Sequence, residues 1–214
     1  MPYGYLGTTP NQQILNSGVF SVEEALAVQN KGEWGGSLKL ITSGSADNSS
    51  QTLDFSDCFT NKFNVYLIQW KDFRPQNDEN FIHFRLKNAS GEISSGYHRA
   101  TQEGNVNGSF SEIKSTSSTY IRIMGGIGTS VGEQASGYIY IYNPNDSSKF
   151  TYTTNQSTYI DQNGVFSYIF GGAVHPTAET ITGAVFRSIS TGGTLGNINK
   201  LDVSIFGVKQ IWVI

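Results

Sequence analysis

From Gly36 onward, apolar residues recur at every second position in short runs, and this alternation limits what the chain can fold into. FNVYLIQW sets Phe63, Val65 and Leu67 against Asn64, Tyr66 and Ile68. FIHFRLK sets Ile82, Phe84 and Leu86 against Phe81, His83 and Arg85, and TYIRIM sets Ile121 and Ile123 against Tyr120 and Arg122. YIYIYN alternates Ile139 and Ile141 with Tyr138, Tyr140 and Tyr142. SLKLI, QTLDF, KFTYTT, VFSYIFG, TGAVFRSI and LDVSIFGVKQIWVI continue the pattern. A period of two places alternate side chains on opposite faces, as in half-buried strands. GSADNSS, RPQNDEN, NASGE, GGIGTSVGEQASG, NPNDSS and STGGTLGN are rich in turn residues and read as the loops between them. About ten short strands at regular spacing predict an all-β antiparallel domain, a β-sandwich or jelly roll. No strict internal repeat supports a propeller or a β-helix. The core expected from the alternation is Phe63, Val65, Leu67, Ile82, Phe84, Leu86, Ile121, Ile123, Ile139 and Ile141.

Residues 1–36 read differently. Prolines 2 and 10 and glycines 4, 7 and 18 interrupt regular structure, so Met1 to Phe20 is expected to be an extended arm. Its apolar residues Tyr3, Tyr5, Leu6, Ile14, Leu15, Val19 and Phe20 are the candidates for assembly contacts. SVEEALAVQNKG carries the one helical signal, with Ser21 as N-cap, Glu24 three residues later and Gly32 as the stop. The expected organisation is an arm with a short helix over 1–36 and a β-domain over 37–214.

At 214 residues the chain is long enough to bury a core without staples. Only 14% of its residues are charged, against about 25% in an average soluble protein. Its net charge of −3 supplies no basic stripe for nucleic acid. Cys58 is the only cysteine, which excludes an internal disulfide and a zinc cluster, and it reads as a small buried residue. No apolar run is long enough for a transmembrane helix, and the N-terminus lacks the basic start and apolar core of a secretory leader. The expectation is a protein that folds in a cytoplasm, without membrane insertion and with no cofactor.

Candidate chemistry is sparse. In FGGAVHPTAETITGAVF, Pro176 biases His175 toward extended geometry, so HPTAE reads as a solvent-facing bend between strands, with His175 and Glu179 carrying no chemistry. GTSVG, Gly128 to Gly132, matches the nucleophile elbow in letters, but that motif needs a strand turning into a helix and here lies between strands. Glu92, Glu103, Glu112, Glu133, Asp161 and Glu179 are the carboxylates to weigh for glycosidase chemistry, which needs a pair across the sugar. None lies in a motif that fixes such a pair. NPNDSSK and DNSSQTLD are oxygen-rich but lack EF-hand spacing. The best binding feature is the ladder Tyr138, Tyr140, Tyr142, a strip suited to stacking sugars or to a protein contact. The plainer reading of that ladder is a sheet face packed beneath another layer.

NSGVFSVEEAL, GGSLKLI, SSGYHRATQEG and FGGAVHPTAETITGAVFRSISTGGTLGNINKLDVSIFGVK resemble small structural proteins of marine tailed bacteriophages of the cyanophage type. The resemblance runs over nearly the whole chain and carries no catalytic residues. It implies a non-enzymatic virion component, a fibre, knob or decoration protein of tail or capsid, assembled in the host cytoplasm. The partners it implies are other virion proteins and copies of itself, a homotrimer by analogy with fibre-like phage proteins. The arm would then be the assembly strap, and a host surface glycan is the alternative ligand of the tyrosine ladder.

Overall fold

A computed structural model of the chain describes Glu23 and residues 37–209. The expected arm, the body of the expected helix and the terminal IWVI lie outside the described residues. The strands from Leu40 on belong to one compact unit.

The described chain is nearly all β. Its strands are β1 (Leu38–Ser50), β2 (Thr52–Phe55), β3 (Val65–Pro75), β4 (Phe81–Asn88), β5 (Gly91–Glu92), β6 (Tyr97–Asn105) and β7 (Phe110–Ser118). They continue as β8 (Ile121–Arg122), β9 (Ala135–Tyr142), β10 (Thr151–Ile160), β11 (Phe166–His175), β12 (Gly183–Ile189) and β13 (Ile198–Val208). A larger sheet runs in the order β1-β13-β3-β9-β10-β11-β6-β7. A smaller one runs β2-β12-β4-β5, with β8 also pairing β4. The chain crosses repeatedly between the sheets, so neighbours in a sheet are often distant in sequence. Only β9, β10 and β11 form a simple meander. The fold is an antiparallel, sandwich-like all-β domain, as the alternation predicts.

The core lies between the inward faces. Ile82, Phe84 and Leu86 of β4 face Ala184 and Phe186 of β12 across the small sheet, all buried. Phe84 meets Phe186 at 5.1 Å between ring centroids and Phe55 meets it edge-on at 6.3 Å. The large sheet contributes Ile139 and Ile141, Ile169, Leu201, Val203 and Ile205. Each such side chain removed from water contributes about 1.5–3 kcal/mol before entropy is counted. Ile121 and Ile123 are buried as expected, and so is Cys58. Burial raises the Cys58 thiol to about 12.

In β3 the expected faces are reversed. Tyr66, Ile68 and Trp70 point into the core, while Phe63 and Val65 are only partly buried. The physical reason is the tyrosine hydroxyl. Tyr66 donates to the Thr60 carbonyl at 2.9 Å and accepts from the Thr60 amide at 2.7 Å, so its polar tip is satisfied inside. Phe59 and Phe63 then pack on its ring. Leu67 lies on the outer face, yet is buried between its cross-strand neighbours Tyr140 and Phe206. Two further corrections concern strands. GSADNSS is not a loop but lies within β1, and the β6–β7 hairpin occupies a segment that shows little alternation.

Gly137 is fixed by packing. A Cβ there would lie 2.5 Å from the Gln156 carbonyl oxygen and 2.9 Å from Trp70 Cζ2. Only glycine lets β9, β10 and the Trp70 ring approach this closely.

Candidate functional site

The outer face of the large sheet is built around the meander. The ladder residues Tyr138, Tyr140 and Tyr142 point outward from β9 because Ile139 and Ile141 claim the core. Tyr138 is 38% exposed, and Tyr140 and Tyr142 are half-buried. The ladder is therefore open to solvent, which corrects the reading of it as a covered face. Its rings touch in sequence, Tyr138 on Tyr140 at 5.8 Å and Tyr140 stacked on Tyr142 at 6.3 Å.

Register extends this strip sideways. Tyr142 stands opposite Tyr152, Tyr140 opposite Thr154, and Tyr138 opposite Gln156. Gln156 in turn stands opposite Phe170, and Thr158 opposite Tyr168. Tyr168 and Phe170 stack at 6.2 Å and form a second aromatic wall. The Tyr168 ring lies across Gly104, where a Cβ would sit 2.6 Å from its hydroxyl. Between the walls runs the polar floor of Thr154, Gln156 and Thr158. The Tyr138 hydroxyl donates to Gln156 Oε1 at 2.9 Å, and the Tyr142 hydroxyl shares a hydrogen bond with Thr154 Oγ1 at 3.2 Å. β9, β10 and β11 contain no Asp, Glu, Lys or Arg at all. Shallow depressions of about 500, 630 and 320 Å³ open on this face where small residues such as Gly137, Gly172 and Ala100 interrupt the side-chain layer. Charged residues line their margins, Lys71 and Asp202 on one side and Arg99, Glu112 and Lys114 on the other.

The His175 bend differs from expectation. His175 is the last residue of β11 and is only 5% exposed, not solvent-facing. Its Nε2–H donates to Glu179 Oε1 at 2.6 Å, and Asn88 Nδ2 donates to Glu179 Oε2 at 2.7 Å. The carboxylate thus ties the end of β11 to the end of β4. Tyr97 packs 5.8 Å from the imidazole, with its hydroxyl donating to the Ile93 carbonyl and accepting from the Leu86 amide. The arrangement is a clamp between sheets, and burial of its hydroxyl raises the Tyr97 pKa.

The other carboxylates are also occupied. Glu92 accepts from Arg85 at 2.6 Å and from Arg187 at 2.9 Å. Glu103 accepts from Arg122 at 3.1 Å and from the Tyr159 hydroxyl, whose pKa is raised by burial first and by this carboxylate second. Glu112 pairs with Lys114, Glu133 accepts from the Ser130 amide, and Asp161 accepts from the amides of Asn163 and Val165 in its own turn. Ser130 sits in a loop that leads into β9, not into a helix. In NPNDSSK, Asp146 is lowered to about 2, chiefly by its hydrogen bond with Lys149. In DNSSQTLD, Asp54 pairs with Lys87. No group of three or more metal-ligating side chains comes together among the described residues.

Sequence reasoning missed a basic cluster on the small sheet. His83 of β4 is flanked across the strands by Arg187 of β12 and Arg122 of β8. Tyr120 stacks on the imidazole at 3.5 Å, and the Arg99 guanidinium lies 4.4 Å from the centre of the Tyr120 ring. Burial, followed by the charges of Arg85, Arg99, Arg187 and Arg122, lowers His83 to about 3 and keeps it neutral. The signal lay in FIHFRLK, TYIRIM and GAVFRSI, each with a cationic or imidazole side chain at an outward position. Only the strand pairing shows that these positions meet.

The arm residues Tyr3, Tyr5, Leu6, Ile14, Leu15, Val19 and Phe20 lie outside the described residues. Comparison with protein-family models, curated proteins and solved structures finds no match.

Proposed function

We propose that this chain is a non-enzymatic structural component of a bacteriophage particle, part of tail or capsid, that works by surface contact. The observation that carries the reading is the open, uncharged aromatic face of β9, β10 and β11. Such a face offers apolar area and hydrogen-bonding tips together, the combination that recurs at protein contact surfaces. The engagement of Glu92, Glu103 and Glu179 by cationic, hydroxyl, amide or imidazole partners supports contact over hydrolysis. The resemblance of the arm and of the Phe170–Lys209 segment to small structural proteins of tailed phages supports the virion setting. In this reading the arm over 1–36 docks into the particle, and copies of the chain associate, as a trimer by analogy. Purified particles tested with an antibody against this chain, with tagged copies located by imaging, decide the matter. Absence of the chain from intact particles would overturn the proposal.

A second reading has its own observation. The polar floor of Thr154 and Gln156 between two aromatic walls suits a neutral host-surface glycan, with rings stacking and hydroxyls bonding to the amide and threonine groups. Binding to uncharged oligosaccharides on a glycan array, lost in Tyr138→Ala, would favour this role on the same face.

A further inference from the structure

The basic cluster around His83 holds more positive charge and more hydrogen-bond donors than its partners use. Four guanidiniums lie near the imidazole: Arg122 and Arg187 across the strands, Arg85 two residues on in β4, and Arg99 over the Tyr120 ring that stacks on His83. Two carboxylates answer them: Glu92 pairs with Arg85 and Arg187, and Glu103 pairs with Arg122. Arg99 pairs with neither and lies over the Tyr120 ring. Nε and Nη1 of Arg99, Nε of Arg122 and Nε of Arg187 are buried and reach no acceptor, and neither does Nδ1 of His83. His83 is itself more than nine-tenths buried.

Leaving such donors unmade is costly. A buried polar group without a partner loses its hydration with nothing in return, and the loss is greater when the group is charged. The excess is local, because the chain as a whole carries a net charge of −3. Arg122 and Arg187 are the cross-strand neighbours of His83 on either side, so their strands stand about 10 Å apart, two strand spacings. Arg99 comes from β6 of the other sheet and can turn toward an incoming group without breaking an ion pair. The side chains of Arg122 and Arg187 remain 21% and 23% exposed, so the rim is reachable from solvent.

We propose that this cluster binds a tetrahedral oxyanion, sulfate or phosphate, free or as an ester, clamped by Arg99, Arg122 and Arg187. Guanidinium forks match such an anion because several N–H groups can point at its oxygens at once. The site is built on β4, β8 and β12 of the small sheet with Arg99 reaching it from β6, and it uses none of the rings of the aromatic face.

The test is an NMR titration of the full-length protein, following the Arg Nε–Hε resonances and the His83 ring. Sodium sulfate, sodium phosphate and a sugar sulfate ester are compared with sodium chloride at matched ionic strength. Saturable shifts at Arg99, Arg122, Arg187 and His83 with the oxyanions, absent with chloride, are expected. Arg99→Gln should weaken the binding about tenfold or more, as loss of a charge-assisted hydrogen bond does. Tighter binding of the ester than of inorganic sulfate would identify a ligand-borne group, and the reverse would identify a free ion. Shifts that follow ionic strength alone, or equal affinity in wild type and Arg99→Gln, overturn the proposal. If Arg99→Gln does not fold, the wild-type titration decides, because a cluster without a site gives no saturation.

Discussion

His175 and Glu179 meet at 2.6 Å across the bend that Pro176 begins, and Asn88 holds the far oxygen of the same carboxylate. Three residues of chain lie between the pair, while Asn88 belongs to the opposite sheet. A segment that reads as a simple turn is therefore a point where the two sheets are tied together.

His175→Ala should cost about 1–3 kcal/mol, since it removes a buried ring and a hydrogen bond to a carboxylate. Glu179→Gln should cost less, about 1 kcal/mol, because an amide oxygen still accepts and Glu179 is 30% exposed. Urea unfolding measures both. A His175→Ala cost under about 0.5 kcal/mol, the range of exposed loop positions, would return the bend to a plain turn.

Acid sensitivity should have a part that belongs to His83. Its pKa is about 3 in the folded protein against 6.5 as an ordinary value. The unfolded chain therefore binds more protons between these limits. Its contribution to stability is complete above about pH 6.5 and is lost as pH falls toward 3. One such group contributes a slope of at most about 1.4 kcal/mol per pH unit. Unfolding free energies of wild type and His83→Gln, compared between pH 3 and 7, isolate the term. Parallel pH profiles would show that His83 does not titrate as described.

The face assignment of β3 and the packing of Gly137 are tested together. Ile68→Ala should cost about 2–5 kcal/mol, as large-to-small core changes do, while Val65→Ala should cost about 1 kcal/mol or less. Gly137→Ala should cost about 1–3 kcal/mol, because the new methyl meets the Gln156 carbonyl and the Trp70 ring. Thermal or denaturant unfolding reads all three. A larger loss at Val65 than at Ile68 would reverse the faces.

What the residues disclose in advance depends on how the two sides of a strand differ. YIYIYN is legible because isoleucine and tyrosine alternate and only isoleucine can be buried without a partner for a polar tip. FNVYLIQW is misread for the same reason: apolar residues occupy both faces, and the local hydrogen bonds from Thr60 decide that Tyr66 goes inward. β7 escapes notice because it is an edge strand with little burial on either face, so FSEIKSTSS has no apolar alternation to show. β10 is polar on both faces: Thr153, Asn155 and Ser157 are buried, and Thr154, Gln156 and Thr158 face out. Ser157 is accommodated inside by donating to the Ile123 carbonyl at 2.5 Å. The tyrosine ladder was visible as a ladder. Its second wall and the His83 cluster depend on cross-strand register, which no local pattern encodes.

The aromatic face supplies the final prediction. Tyr138 and Phe170 stand on β9 and β11, on either side of Gln156, and are 38% and 42% exposed. Neither contributes to the buried core, so Tyr138→Ala and Phe170→Ala should each change stability by about 1 kcal/mol or less. If the face is a contact surface, the same changes remove ring area from its centre, where truncation of an aromatic anchor typically costs 2 kcal/mol or more of binding, about thirtyfold in Kd. Gln156→Ala should act in the same direction, because it removes both the floor amide and the acceptor that orients the Tyr138 hydroxyl. The measurement is incorporation of each variant into particles, or binding to the array-selected oligosaccharide, beside an unfolding curve for the same preparation. Normal stability with lost incorporation identifies a protein contact, and normal incorporation with lost sugar binding identifies a glycan site. Variants that fold, assemble and bind like the wild type would show that this face does no contact work.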